Sequence, residues 1–383
     1  MEKQFNINEL LSSNHLTTLF KEGAVIQEGA NSFILLLGDK KPYLAGLESL
    51  SSNQILVYQA NYWDYINQSK GDSSQNAQNL YYYEQAFKID RDNLCLLTGH
   101  LITQAGLVNR ANGLKLRHDH FADFQNQFDW SQKQFGSGRL RKTVPFTKFE
   151  YEAQNFSFWL ALDFALRHQD VGFIYGFWTE HQGHLGKTPE LLASFENQTL
   201  TTMALAGTWS NQIQYESLND VDAKTREEHA IVVHDIKSRL GQAESTETYI
   251  YNVKYLNHLR TDIFTKIENE QKFIDLVNRL HPTAALGIYP RDLGAAEDFS
   301  KLELQNHRET FGAPVGFLTK NYARIYVGIR MFKWNLDKSS VSILCGCGVT
   351  AQSQLESEWT ELITKKNAIC KMFNLNEVVG ECL

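Results

Sequence analysis

Ser340-Val-Ser-Ile-Leu-Cys-Gly-Cys-Gly348, followed by Val349-Thr-Ala-Gln-Ser-Gln-Leu-Glu-Ser-Glu-Trp-Thr-Glu-Leu-Ile-Thr-Lys-Lys366, reads as a strand, a turn and a helix. Branched and small apolar residues fill the strand, and two glycines end it. Ser353 and Glu356 match the S-x-x-E pattern of a capping box, which predicts a helix start near Gln354. Leu355, Trp359, Leu362, Ile369 and Phe373 recur at helical spacing and predict its core face. At about 100° per residue, Glu358, Glu361 and Lys365 fall on a stripe beside that face. Two carboxylates and an ammonium at the edge of a buried surface suit a divalent cation and an anionic ligand. Taken alone, the stripe suits a solvated helix face with an i,i+4 Glu–Lys pair better still.

The wider composition narrows the classes. The chain has 383 residues, 43% of them hydrophobic and 12% aromatic, enough to bury a large core. No run of about 18 apolar residues predicts a transmembrane helix. Met1-Glu-Lys-Gln-Phe-Asn6 lacks the basic and apolar regions of a signal peptide, so a cytoplasmic protein without a membrane partner is expected. The five cysteines (Cys95, Cys345, Cys347, Cys370 and Cys382) follow no disulfide or zinc spacing. Cys345 and Cys347 read as small buried residues. A formal charge of -7 makes nucleic acid an unexpected partner, so any anionic ligand must be attracted by local charges.

Along the chain, residues 1–125 read as a divergent N-terminal part and residues 126–383 as the region that carries chemistry. Ser32–Leu37 and Gln54–Tyr58 read as buried strands, and Asn67–Gln75 as a polar surface loop. His118 and His120 have no third ligand nearby and read as surface histidines. Helices are predicted from Phe121, over Phe156–Arg167, from about Val221 to Leu240, and over 270–280. In the third of these, Glu228 lies one turn before Val232 and borders the apolar face. Ala323 to Trp334 alternates as one strand with Tyr326, Gly328 and Arg330 on one face. It is expected to pair antiparallel with the strand from Ser340, through a turn at Asn335–Lys338. The fold class is α+β, with large antiparallel sheets packed in layers and helices outside.

Several residues have the right chemistry for a site. Glu228, Glu358 and Glu361 suit Mg²⁺, a hard cation that prefers oxygen ligands. Arg330 and Lys365 suit a carboxylate ligand, with the guanidinium offering a bidentate fork. Gly207, Gly346 and Gly348 allow a ligand close to backbone N–H groups. Lys142 and Glu190 form a candidate base and acid. Each has an alternative: Arg330 as a core ion pair, Lys142 on a strand edge, Glu190 capping a turn after Pro189.

Five segments set these residues in a family context: Thr188-Pro-Glu-Leu-Leu192, Leu205-Ala-Gly-Thr208, Glu228-His229, Leu280-His-Pro-Thr283, and the run from Ile329-Arg330 through Cys345-Gly-Cys-Gly-Val349 to Glu358, Glu361 and Lys365. In order and spacing, over roughly residues 130 to 375, they resemble the chorismate-utilising enzymes and, among these, the isochorismate synthases. Aminodeoxychorismate synthases have a nucleophilic lysine where this chain has Ala206. His281-Pro-Thr283 resembles the isochorismate synthases more than the anthranilate or salicylate synthases.

The resemblance implies roles. Lys142 is the implied base that takes a proton from water attacking C2 of chorismate, and Glu190 the acid for the departing C4 hydroxyl. Glu228, Glu358 and Glu361 are the implied Mg²⁺ ligands. Ala206, Gly207, Thr208, His281, Thr283, Arg330, Gly346, Cys347, Gly348 and Lys365 are the implied substrate contacts. A monomer is expected, without a glutaminase subunit, because the reaction uses water and not ammonia. The chain departs from the family pattern at Ala284, Ile288, Trp209, Thr225, Cys345 and Cys347, and Pro145 follows the lysine strand.

Overall fold

The computed structural model describes residues 21–69, 79–108, 110–153, 155–168, 171–210, 213–253 and 256–378. Most of the polar loop expected over Asn67–Gln75 lies outside them, and Asn67 to Ser69 close the helix Asp64–Ser69.

Side-chain alternation decides the architecture. In the strand Ser32–Pro42, Phe33, Leu35 and Leu37 enter one hydrophobic cluster while Ile34 and Leu36 enter another. Val25 separates from Ala24 and Ile26 in the same way, and Ile343 from Leu344. Strands buried on both faces carry near-continuous apolar runs, as these do.

Among the described residues, Lys142–Thr143 and Val349–Thr350 pair separately, while eighteen strands join into one sheet. Its first half runs through Asn112–His118, Phe146–Glu152, Ser340–Gly346, Met331–Asn335, Gln182–Thr188, Phe173–Thr179 and Glu22–Gln27. It continues through Ser32–Pro42, Leu80–Asp90 and Leu56–Gln59. The second half follows with Pro314–Leu318, Tyr322–Val327, Leu191–Glu196, Thr199–Ser210, Leu256–Lys266 and Tyr249–Val253. All of these pairings are antiparallel, while Leu375–Glu377 adds in parallel to Asn112–His118. The halves fold face to face over an inner core that includes Ile26, Phe146, Phe317, Tyr326 and Leu344. The helices Arg91–Gln104, Phe158–Arg167 and Leu355–Met372 cover one outer face. Ala223–Leu240, Glu270–Leu280 and Leu293–Ser300 cover the other. The α+β class and its layers are as the sequence predicts. Among the described residues no helix is long and apolar enough to cross a membrane.

Among the described residues, two segments pass between the halves. Pro189-Glu190 links the strand ending at Thr188 to the one beginning at Leu191. Gly328-Ile329-Arg330 links Val327 to Met331. The single strand expected over Ala323–Trp334 is therefore broken. The Ile329 amide turns back to the Val327 carbonyl at 2.9 Å, and Arg330 takes a left-handed φ of 53°. A non-glycine residue held there is strained, and such strain gathers where side-chain direction matters.

The capping box expected at Ser353 and Glu356 does not form. The helix starts at Leu355 after Gln354, without a side-chain cap. The Ser353 hydroxyl instead accepts from the Thr350 amide at 3.1 Å, closing the turn that precedes the helix. Asp222 does cap its helix, accepting from the Thr225 amide at 2.9 Å.

Candidate active site

A cavity opens where the two crossovers meet the ends of Thr199–Ser210 and Ser340–Gly346. Glu190 and Arg330 line it from the crossovers, Glu228 from one helix, and Glu361 and Lys365 from another. Ala206, Gly207, Thr208, Gly346, Cys347 and Gly348 complete its backbone walls. Among the residues singled out from sequence, the fold thus gathers most at one place.

Two glycines make the assembly sterically feasible. Gly207 sits at a break in strand register with φ of 74°, and an added Cβ would lie 2.6 Å from Thr225 Cγ2. Its absence lets the strand abut the first turn of the helix that carries Glu228. A Cβ on Gly348 would lie 2.2 Å from Glu228 Oε1 and 2.9 Å from Lys142 Cε. Gly348 is the space that these two side chains use.

Burial pushes the Glu190 carboxyl up to about 7, against the pull of Lys142, Arg330 and Lys365. It is poised to exchange a proton at neutral pH. Arg330 is buried, and its Nη2 lies 3.1 Å from His258 Nε2. A guanidinium can only donate, so His258 carries its proton on Nδ1, which lies 3.1 Å from the Thr208 hydroxyl. Burial, with Arg330 and Lys365 nearby, holds His258 neutral. Sequence reading missed His258. Its partners are far away in the chain, and a lone histidine in a strand gives no local signal.

Lys142 lies behind the wall, fully buried, on the two-residue strand Lys142–Thr143. Its Nζ donates to the Ala284 carbonyl at 2.7 Å and lies 3.1 Å from Glu228. Its backbone exchanges hydrogen bonds with Tyr289, at 3.1 and 2.8 Å. The segment from His281 to Tyr289 therefore grips the lysine at both backbone and tip.

His281 and Thr283 do not line the cavity. His281 Nε2 bonds the Tyr62 carbonyl at 2.9 Å, and burial pulls its imidazole down to about 3, so it is neutral. The Thr283 carbonyl accepts from the Leu286 and Gly287 amides at 3.0 and 2.8 Å. Both residues fold the loop, and Ala285 and Leu286 from that loop reach the cavity instead. A short motif identifies a loop without saying which of its residues point inward.

The three glutamates are each paired with a lysine. Glu228 meets Lys142 at 3.1 Å, Glu361 meets Lys365 at 2.6 Å, and Glu358 meets Lys224 at 2.8 Å. Lys365 also donates to the Gly346 carbonyl at 2.7 Å. Glu358 lies beneath the wall rather than in it, nearly fully buried. Among the described residues no three His, Cys, Asp or Glu groups are drawn together at metal-ligand spacing. The donor set still fits a hard divalent cation. Burial raises Glu361, Lys365 opposes the rise, and repulsion from Glu358 and Glu228 adds to it. A cation among the three would relieve that repulsion. Lys224 was also missed from sequence, although its place one turn before Glu228 puts both on one helix face.

Comparison with known proteins bears on this arrangement. The sequence model of the chorismate binding enzyme family matches residues 93–374. Isochorismate synthase MenF of Escherichia coli (strain K12) is 32% identical over 191 residues, covering 47% of this chain and 43% of that protein. Isochorismate synthase MenF of Bacillus subtilis (strain 168) is 26% identical over 208 residues, covering 51% of this chain and 43% of that protein. The matches thus span less than half the length of either relative. The solved structure of MenF, the menaquinone-specific isochorismate synthase from Escherichia coli, superposes with a TM-score of 0.71 at 17% identity. It covers 94% of this chain and 92% of that one, and shows a shared fold.

Proposed function

The chain belongs to the chorismate binding enzyme family, and from that premise we propose that it converts chorismate to isochorismate. One observation carries the reading. A single cavity presents an acid held near pH 7 by burial, a guanidinium, an ammonium and carboxylates on two helices.

Chorismate is a dianion with an allylic hydroxyl. Arg330, turned by its left-handed backbone and braced by His258, binds one carboxylate, with Lys365 adding charge. Gly346 to Gly348 bring backbone close to the ligand. Lys142, which lies directly behind the cavity-lining Gly348 and Glu228 and is aimed by the Ala284 carbonyl, takes a proton across that thin wall from the water that attacks C2. The ring double bonds shift, the C4–O bond breaks, and Glu190 gives its proton to the leaving hydroxyl, which departs as water. One water enters and one leaves, so the step is an isomerisation, and solvent returns the proton to Glu190 from Lys142. Glu228 and Glu361, with Glu358 behind them, would hold Mg²⁺, which supplies a Lewis acid for the ring carboxylate.

The test is incubation of the protein with chorismate and Mg²⁺, with products separated and identified by mass and fluorescence. Isochorismate without pyruvate is the expected result. Salicylate with pyruvate, or chorismate recovered unchanged, overturns the proposal.

A further inference from the structure

Of the three lysines in the site, two are anchored twice. Lys142 holds a carboxylate and the Ala284 carbonyl, and Lys365 a carboxylate and the Gly346 carbonyl. Lys224 differs. Among the described residues its one hydrogen-bond partner is Glu358, at 2.8 Å. Its side chain is 34% exposed where that of Lys142 is 1% exposed. It lines the cavity mouth and can leave into water without stranding a buried ammonium. Its place is also unfavourable on local grounds. It lies in the first turn of Ala223–Leu240, where the helix dipole disfavours a cation. The Glu358 carboxylate, 2.8 Å from the Lys224 ammonium, offsets that cost.

We infer that Lys224 is a displaceable stand-in for the metal: it neutralises Glu358 in the metal-free protein and swings out to solvent when a divalent cation binds. The inference rests on the proposed metal reading of Glu228, Glu358 and Glu361. The geometry gives a direction. A tethered ammonium on one ligand competes with the cation for that oxygen and repels it from close by. Metal affinity is therefore lower with Lys224 than without it. A lysine that merely orients Glu358 as a ligand predicts the opposite sign.

The experiment titrates Mn²⁺ into substrate-free protein and follows free Mn²⁺ by electron paramagnetic resonance. Lys224→Met is expected to bind Mn²⁺ roughly tenfold more tightly than the wild type. Lys224→Arg keeps a competing charge and should not gain. In parallel, amine acylation read by peptide mass spectrometry should rise several-fold at Lys224 on saturation with Mn²⁺, and stay unchanged at Lys142. Equal or weaker binding by Lys224→Met, or labelling of Lys224 indifferent to metal, overturns the latch while the metal reading stands. Absence of Mn²⁺ binding in wild type and Lys224→Met alike overturns the metal reading and the latch together. Glu361→Gln is the control that should lose the site in either background.

Discussion

Glu190 and Arg330 sit on neighbouring crossovers tied by reciprocal backbone bonds: the Val327 amide donates to the Glu190 carbonyl at 3.1 Å, and the Lys187 amide donates to the Arg330 carbonyl at 3.1 Å. The acid and the guanidinium are thus placed by main chain. Long side chains lose rotamer entropy when fixed, and a rigid backbone beneath them limits the freedom left to remove. Among the described residues, the two points where the chain changes sheet halves are points that line the cavity.

Glu190 sets the first expectation. In the proposed mechanism the acid form of Glu190 is the reactive one and its pKa is about 7, so the Glu190 contribution to kcat/KM should fall about tenfold per pH unit above that value. Glu190→Gln should flatten that limb and cost about 10²–10⁴-fold in kcat. At high pH the same substitution has the opposite effect on stability. The folded pKa of about 7 lies above the ordinary 4.5, so the stabilising share of the protonated group is full below 4.5 and lost as pH rises through 7. At pH 8, Glu190→Gln should be more stable, by on the order of 3 kcal/mol at most. A urea midpoint raised at pH 8 and unchanged at pH 4 checks this.

Lys142 should be needed for turnover more than for binding, since it lies behind the cavity wall. Lys142→Ala is expected to lose about 10²–10⁴-fold in kcat. Chorismate affinity, measured by calorimetry, should change less than about tenfold, a shift of 1.4 kcal/mol. Lys142→Arg should not rescue, because a guanidinium does not give up its proton near neutral pH. Near-normal turnover by Lys142→Ala would remove the lysine from the mechanism.

Gly348→Ala puts a methyl 2.2 Å from Glu228 Oε1, which must move. Overpacking of this kind costs about 1–3 kcal/mol in stability. Turnover should drop by more than that suggests, because Glu228 and Lys142 are displaced together. Activity assayed beside a thermal melt separates the two effects.

Asp235 should matter although it lies outside the cavity. It is buried, pairs with Arg239 at 2.8 Å and accepts from the Ala284 amide at 2.9 Å. Asp235→Ala leaves Arg239 and the Ala284 amide without that carboxylate, and removal of one partner of a buried pair costs about 3–5 kcal/mol. Because the Ala284 carbonyl aims Lys142, kcat should fall in whatever protein stays folded. Denaturant unfolding with activity measured below the transition tests both.

The sequence by itself determined the material of this protein. Continuous apolar runs such as Phe33 to Leu37 suit strands covered on both faces, and the spacing of Leu355, Leu362 and Ile369 suits a helix with a buried stripe. Local spacing also placed Glu358, Glu361 and Lys365 side by side, because neighbours on a helix are fixed by 3.6 residues per turn. Tertiary structure alone decided what meets across the chain. Nothing local marks the break at Gly328 to Arg330, since Tyr326 to Trp334 alternates well enough for one strand; the break follows from which strands pair on either side. Nothing local says that Ser353 closes a turn instead of capping a helix, that His281 turns away to Tyr62, or that His258 braces Arg330. The last two are contacts between segments far apart in the chain, chosen by how the two halves of the sheet pack, whereas Ser353 bonds Thr350 only three residues away, in a turn that the S-x-x-E pattern does not distinguish from a cap.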